Sequence, residues 1–371
     1  MRRRCGRIRA HASPGRRPAA ASRAELEDPT LIGETQSHLR RPPGPGELAL
    51  LALGLLAALL LAEGAVRVTG TADRPTGYAP VNTKRNPGPT NTQGYRDRER
   101  SLTRPTGARR LVALGDSFTW GVKVEFDDTW PQRVERALGR ARGEPWEVVS
   151  LARQGMNTVE EAEQLATEGL AYAPDGVVLG YCLNDSEDED AAEVRRARDW
   201  EEMAKERAAR GHRLLERSAL YRLVQARLRA THENRWRLRA YRSQYAPDYP
   251  GWIAARKALG GMAERCRERK IPLVVMIFPL FGNPLGDAYP FAEIHAAVAR
   301  AVADTGWARP LDLLPAYRAL DWRLLVVDGA NDEHPNEIAH RIAAERLVKV
   351  LADVLPPPPQ PRGGGPAVTA R

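Results

Sequence analysis

Between residues 110 and 353 the chain alternates short apolar runs with amphipathic stretches of helical period, and that alternation leaves few folds open. The runs are residues 111–114, 148–151, 176–181, 273–278 and a weaker 310–313. Each is nearly continuously apolar and rich in β-branched residues, as strands covered on both faces must be. Helical patterns occupy 130–138, 159–170, 252–269, 291–305 and 336–354. Strand then helix, repeated, predicts an α/β domain with a parallel sheet and right-handed crossovers. Ligands of such open sheets bind beyond the carboxyl ends of the strands.

One connection is out of proportion. Residues 187–245 are dense in Glu and Arg at helical spacing, which predicts a helical insertion. Leu214, Leu215, Leu220, Leu223 and Val224 make one apolar stripe on it. The insertion leaves the loop that carries Asn184, so it is either a surface helix pair docked on the domain or a lid.

The residues just past the strand runs carry the chemistry. The first run drives into Gly115-Asp116-Ser117, so a strand delivers a serine. Gly155 follows the second run and Asn184 the third. Far downstream, Asp332-Glu333-His334-Pro335-Asn336 supplies a carboxylate and an imidazole just before the last helical pattern. Serine, imidazole base and orienting acid are the parts of a covalent acyl-transfer site. Taken singly, each residue has a plainer role. Ser117 caps a helix, Gly155 makes a turn, Asn184 or Asp185 caps the next helix, and His334 caps the last one, where Pro335 suits the first position. Four such residues in order, each at a strand end or ahead of the final helix, favour the site. His340, on the last helical pattern, reads as a surface or packing residue, and Asp116 as a shaper of the turn.

Together the four blocks resemble the SGNH/GDSL hydrolase superfamily, whose signature Ser, Gly, Asn and His fall here on Ser117, Gly155, Asn184 and His334. The resemblance covers roughly residues 91–353. The lead-in Asn91-Thr92-Gln93-Gly94-Tyr95-Arg96-Asp97, followed by the GDSFTWG of residues 115–121, is similar to bacterial membrane-tethered members. The resemblance implies a three-layer, flavodoxin-like fold with the helical insertion added. It also implies Ser117 as nucleophile and His334 as base, with an oxyanion hole formed by the N–H groups of Ser117 and Gly155 and the Asn184 amide. Glycine suits 155 because a Cβ would crowd the approach of substrate to its N–H. The commonest pattern places the acid three residues before the histidine. Position 331 is Asn331, so Asp332 is the expected acid, with Asp328 in reserve.

The activity so implied is that of a serine esterase or deacylase acting on small acyl esters of an envelope glycan or lipid. The same chemistry can run as an O-acyltransferase to an envelope polysaccharide, and a catalytically silent envelope binding module would keep the fold. No cofactor is implied. The chain lacks the Gly-x-Ser-x-Gly elbow of α/β-hydrolases, a phosphate-binding glycine loop and a nicotinamide fingerprint. Its three cysteines, Cys5, Cys182 and Cys266, have no metal-binding spacing. Cys182 and Cys266 read as small buried thiols rather than a disulfide.

A net charge of +9 invites a nucleic-acid partner, so its location matters. Residues 1–46 hold 10 Arg and 4 acidic residues, and Arg362 and Arg371 add two more charges, leaving the middle near +1. A groove for phosphate backbone needs its charge on the folded domain, so no nucleic-acid partner is expected. Residues 48–62 carry no polar side chain, and only Glu63 and Arg67 interrupt the run up to Val68. A helix over 47–68 would span about 30 Å, enough to cross a bilayer. A buried core helix or a signal peptide would also fit, but the long preceding segment and the lack of an Ala-x-Ala site point to an uncleaved anchor. Arginines before the run and none just after it place the N-terminus in the cytoplasm and the catalytic domain on the outer side. The expected organisation is a disordered arm (1–46), a transmembrane helix (47–68), a linker whose end packs on the domain (69–108), the hydrolase domain (109–355) and a disordered tail (356–371).

Overall fold

The computed structural model describes residues 44–70, 88–188, 215, 217–327 and 333–356. Asp328, Asn331, Asp332 and Leu214 lie outside the described residues, as do most of the expected arm and tail. Contacts divide the chain into two units, residues 1–59 and 60–371. What is described of the first belongs to helix α1 (Pro45–Thr69), which runs on into the second; it has no buried residue and is long and apolar enough to cross a membrane.

The second unit is built on five parallel strands: β1 (Arg109–Gly115), β2 (Trp146–Ser150), β3 (Gly176–Tyr181), β4 (Leu273–Ile277) and β5 (Arg309–Asp312). Their order is β2-β1-β3-β4-β5. This is the flavodoxin-like order, whose topological switch point lies between β1 and β3. Strands β1, β3 and β4 are buried along their whole length, which explains the apolar runs they carry; in β1 that run follows two buried arginines, Arg109 and Arg110. Between and after the strands come α2 (Ser117–Trp120), α3 (Trp130–Arg142), α4 (Thr158–Thr167), α5 (Ala219–Gln244), α6 (Pro250–Glu268), α7 (Ala292–Ala303), α8 (Leu314–Tyr317) and α9 (Glu337–Val354). Helix α3 packs on α9, while α4 packs on α6 and α6 on α7, so helical layers cover both faces of the sheet. The register sets Gly115 of β1 opposite Gly180 of β3, so both strands deliver their exit loops at one level.

Helix α5 is the described part of the expected insertion, and at 26 residues it is about 39 Å long. Its stripe is not fully docked: Leu215 and Val224 are exposed, while Leu220 and Leu223 are half-buried. Both ends are fixed. At the start, Glu63 of α1 accepts hydrogen bonds from the Ser218 hydroxyl and from the Ala219 and Leu220 N–H groups, at 2.8–2.9 Å. Beyond the far end, the Tyr245 hydroxyl donates to the Leu183 carbonyl at 3.0 Å and lies 2.7 Å from the Tyr181 hydroxyl. Cys182 and Cys266 are buried and unbonded to each other.

Candidate active site

Strand β1 ends on Gly115 at φ 147°, where a Cβ would run into the Thr119 side chain. Glycine therefore lets α2 fold back tightly on the strand end. Asp116 caps that short helix, its Oδ1 accepting the Phe118 N–H at 2.9 Å. Ser117 is thus the first residue of α2 and not its cap, and its hydroxyl is left for other partners. Ser117 Oγ lies 2.9 Å from His334 Nε2 and 3.3 Å from Asp116 Oδ2. A hydroxyl has one proton to donate, and the shorter contact is to the imidazole.

His334 is held from both sides. Val326 and Pro335 form a bridge, and the Val327 N–H donates to the His334 carbonyl at 3.2 Å. Asn336 caps α9 by accepting the Ile338 and Ala339 N–H groups, and its amide donates back to the Leu324 and Val326 carbonyls. The cap of the last helix is therefore Asn336, which leaves the imidazole two residues earlier free of that duty. The Phe118 ring centre stands 5.3 Å from that of His334 and touches Phe278 and Phe281 behind it. His340 is a packing residue: its buried Nδ1 accepts the Trp130 N–H at 3.1 Å. Burial, helped by Arg133 and Arg96, pulls its pKa down to about 3, so it stays neutral.

Gly155 is exposed at φ +81°, and a Cβ there would meet nothing of the protein within 4 Å. The left-handed backbone is what asks for glycine here, a firmer reason than the steric one inferred from sequence. Two residues on, Asn157 accepts the Val159 and Glu160 N–H groups, and Glu160 reaches back to the Asn157 N–H at 2.8 Å. This capping box ties the Gly155 loop to α4. Asn184 sits at the tip of the turn after β3, which Asp185 closes by accepting the Cys182 N–H at 2.9 Å. The Asn184 amide bonds the buried Asp116 carboxyl, whose pKa burial raises against the pull of Phe118 N–H, His334, Asn184 and Ser117. Asp116 thus touches the Ser117 turn and the Asn184 turn at once, across the β1/β3 switch point. No group of three or more His, Cys, Asp or Glu placed to hold a metal occurs among the described residues.

A model described as the GDSL-like lipase/acylhydrolase family matches residues 113–342. The chain belongs to this family. It is accordingly an ester hydrolase. Solved structures similar to it include TesA (16% identity, TM-score 0.42, covering 67% of this chain and 100% of that one). A lipase/acylhydrolase from Enterococcus faecalis gives 15% identity, TM-score 0.42 and coverage of 67% and 98%. The acetyl xylan esterase AlAXEase gives 13%, 0.41, and coverage of 65% and 99%. A comparison with curated proteins returns no match.

In this GDSL-like hydrolase the lead-in segment does more than connect. Arg96 is buried and donates to the carbonyls of Trp120 (2.8 Å), Gly121 (2.6 Å) and Val124 (2.6 Å), holding the chain that leaves α2. Asp97, fully buried, accepts the Ser150 N–H at 3.0 Å and so grips the end of β2 ahead of Gly155. The packing of the linker's end on the domain is expected from sequence, but within the charged run of residues 96–100 nothing marks Arg96 and Asp97 as the two that are buried beside the site. Arg96→Met should lower unfolding free energy by about 3 kcal/mol, because three carbonyls lose their donors. The exposed neighbour change Arg98→Met should lower it by no more than about 1 kcal/mol. Equal denaturation midpoints for the two variants would remove the bracing role.

Proposed function

We propose that the protein is a membrane-anchored serine esterase or deacylase that removes small acyl groups from a glycan or lipid of the cell envelope. The observation that carries this reading is the 2.9 Å contact between Ser117 Oγ and His334 Nε2 at the switch point of the sheet. Ser117 Oγ attacks the acyl carbonyl carbon while His334 takes the hydroxyl proton. The carbonyl oxygen becomes an oxyanion that accepts hydrogen bonds from the Ser117 and Gly155 N–H groups and the Asn184 amide, each donor worth about 3 kcal/mol of barrier. Collapse expels the alcohol, which receives the proton from His334, and leaves acyl-Ser117. Water, deprotonated by the same imidazole, then releases the acid and frees the serine. Asp332 is the residue proposed to fix the imidazole tautomer and balance its charge.

The anchor rests on α1, which exposes Leu50, Leu53, Leu55, Leu60 and Leu61. Leaving leucines in water forgoes about 1.5–3 kcal/mol for each that could be buried, so lipid is the medium that suits this helix. The arginine-rich residues before it orient the hydrolase outward.

The test is to incubate the detergent-solubilised full chain with p-nitrophenyl acetate and with acetylated sugars, with and without a polysaccharide acceptor. Free acetate in both conditions is the expected result. Acetyl recovered on the acceptor, with little released, would replace hydrolysis by transfer; no turnover of any ester would leave a binding module.

A further inference from the structure

The turn after β3 closes on itself. The Asp185 N–H donates to the Cys182 carbonyl at 3.1 Å, the Glu187 N–H donates to the Asn184 carbonyl at 2.9 Å, and Asp185 Oδ2 accepts the Cys182 N–H at 2.9 Å. Bonds of this kind fix the shape of a turn but not where it stands relative to Ser117 and Gly155. Its placement has to come from neighbours.

Two neighbours hold the main chain on either side of Asn184. On one side Thr158, at the start of α4, donates to the Asp185 carbonyl through its N–H (3.1 Å) and its hydroxyl (3.2 Å). On the other the Tyr245 hydroxyl donates to the Leu183 carbonyl at 3.0 Å. That carbonyl belongs to the planar peptide unit joining Leu183 to Asn184, so whatever holds it holds the entry into Asn184.

Tyr245, the residue that ends α5, is itself firmly seated. Its hydroxyl has one proton, and that proton goes to Leu183, since a carbonyl can only accept. The 2.7 Å contact with Tyr181, the last residue of β3, therefore runs from the Tyr181 hydroxyl to Tyr245. Burial raises the pKa of both phenols, so both protons stay in place at neutral pH. The Tyr245 ring tilts against Trp252 of α6, centre to centre 4.9 Å, and its N–H donates to the Tyr241 carbonyl at 3.2 Å. One residue before Trp252, Gly251 comes so near the same turn that a Cβ would run into the Ser186 carbonyl. The exit of the insertion and the first turn of α6 thus bear on the Asn184 turn together.

We propose that Tyr245 is a positioning residue of the oxyanion hole, its hydroxyl holding the peptide between Leu183 and Asn184 so that the Asn184 amide meets the developing oxyanion. The exit of the insertion then serves the reaction itself. Without the hydroxyl that peptide unit can rotate, and the amide moves with it. A donor aimed at the oxyanion counts in the transition state and little in the bound ester, so the loss falls on kcat and not on KM. Tyr245 has this role only if Asn184 is an oxyanion donor, the reading under which Ser117 attacks an ester.

The experiment is a double-variant cycle on the full chain in detergent, with p-nitrophenyl acetate as substrate. Tyr245→Phe keeps the ring on Trp252 and removes only the hydroxyl; it should lower kcat on the order of tenfold with KM within about twofold. Asn184→Ala should lower kcat on the order of a hundredfold or more. In the double variant the hydroxyl has no amide left to place, so kcat should equal that of Asn184→Ala alone. The drop in unfolding midpoint caused by Tyr245→Phe should instead appear in both backgrounds, as a purely structural effect would. Tyr317→Phe is the matched control, because it removes a buried hydroxyl that donates to the Ala339 carbonyl at 2.7 Å. It should cost similar stability at unchanged kcat. An unchanged kcat in Tyr245→Phe, an equal loss of kcat in Tyr317→Phe, or a Tyr245→Phe factor that persists in the Asn184→Ala background would each overturn the proposal. Wild-type turnover in Asn184→Ala would remove Asn184 as a donor and Tyr245 with it, whereas an impaired Asn184→Ala beside a fully active Tyr245→Phe would remove Tyr245 alone.

Discussion

Ser117→Ala is expected to lower kcat on the order of a millionfold while leaving the thermal unfolding midpoint within a few degrees of wild type. The hydroxyl makes a 2.9 Å contact with His334 and a 3.3 Å contact with Asp116, but the fold of the turn does not depend on it. The cap of α2 comes from Asp116, and Phe118 is locked into the aromatic cluster without help from residue 117. A serine-directed phosphonate should label the wild type at Ser117 and the variant nowhere. Retained turnover in the variant, or a label on another residue, would remove Ser117 as nucleophile.

Asp332→Asn should cost about ten-thousandfold in kcat, because the imidazole loses both tautomer control and a charge partner. Asp328→Asn should be nearly silent, and Asn331→Asp should leave kcat unchanged or raise it slightly. Measured at matched fold stability, the three variants distinguish the arrangements of this loop. A dead Asp328 variant beside a normal Asp332 variant would transfer the role to Asp328, and three active variants would mean a Ser117–His334 dyad.

Strands β1, β3 and β4 were readable because full burial writes itself into sequence as an apolar run, whereas β5, exposed or half-buried along its length, left only a weaker one. The observed β3 coincides with residues 176–181, and the other strands differ from the apolar runs by two residues or fewer at either end. Helix α4 was read as continuing to residue 170, but it ends at Thr167 and gives way to a short 3-10 turn at Gly169–Tyr172. A four-residue helix such as α2 has no period to read, so its cap at Asp116 was invisible. Ser117 and His334 stand 217 residues apart, and only the order of the motifs linked them before the fold did. The deepest omission concerns polar residues that are buried. Glu161 and Gln164 look like the solvent face of an amphipathic helix, and Arg96 and Asp97 look like linker charges. Nothing in a one-dimensional pattern distinguishes a charge in water from a charge enclosed with its partners.

The carboxylate of Glu63 bears on how this chain can be processed. It interrupts the apolar run of α1, and it is also where Ser218, Ala219 and Leu220 find their acceptor at the start of α5. Any peptidase that severed the chain downstream of Glu63 would carry that acceptor away and leave the first turn of a 26-residue helix without it. The other end of that helix leads to Tyr245, hydrogen-bonded one residue before Asn184. A form cut below Glu63 would begin α5 without that acceptor, so this end of α1 belongs to the same folded unit as Ser117 and His334.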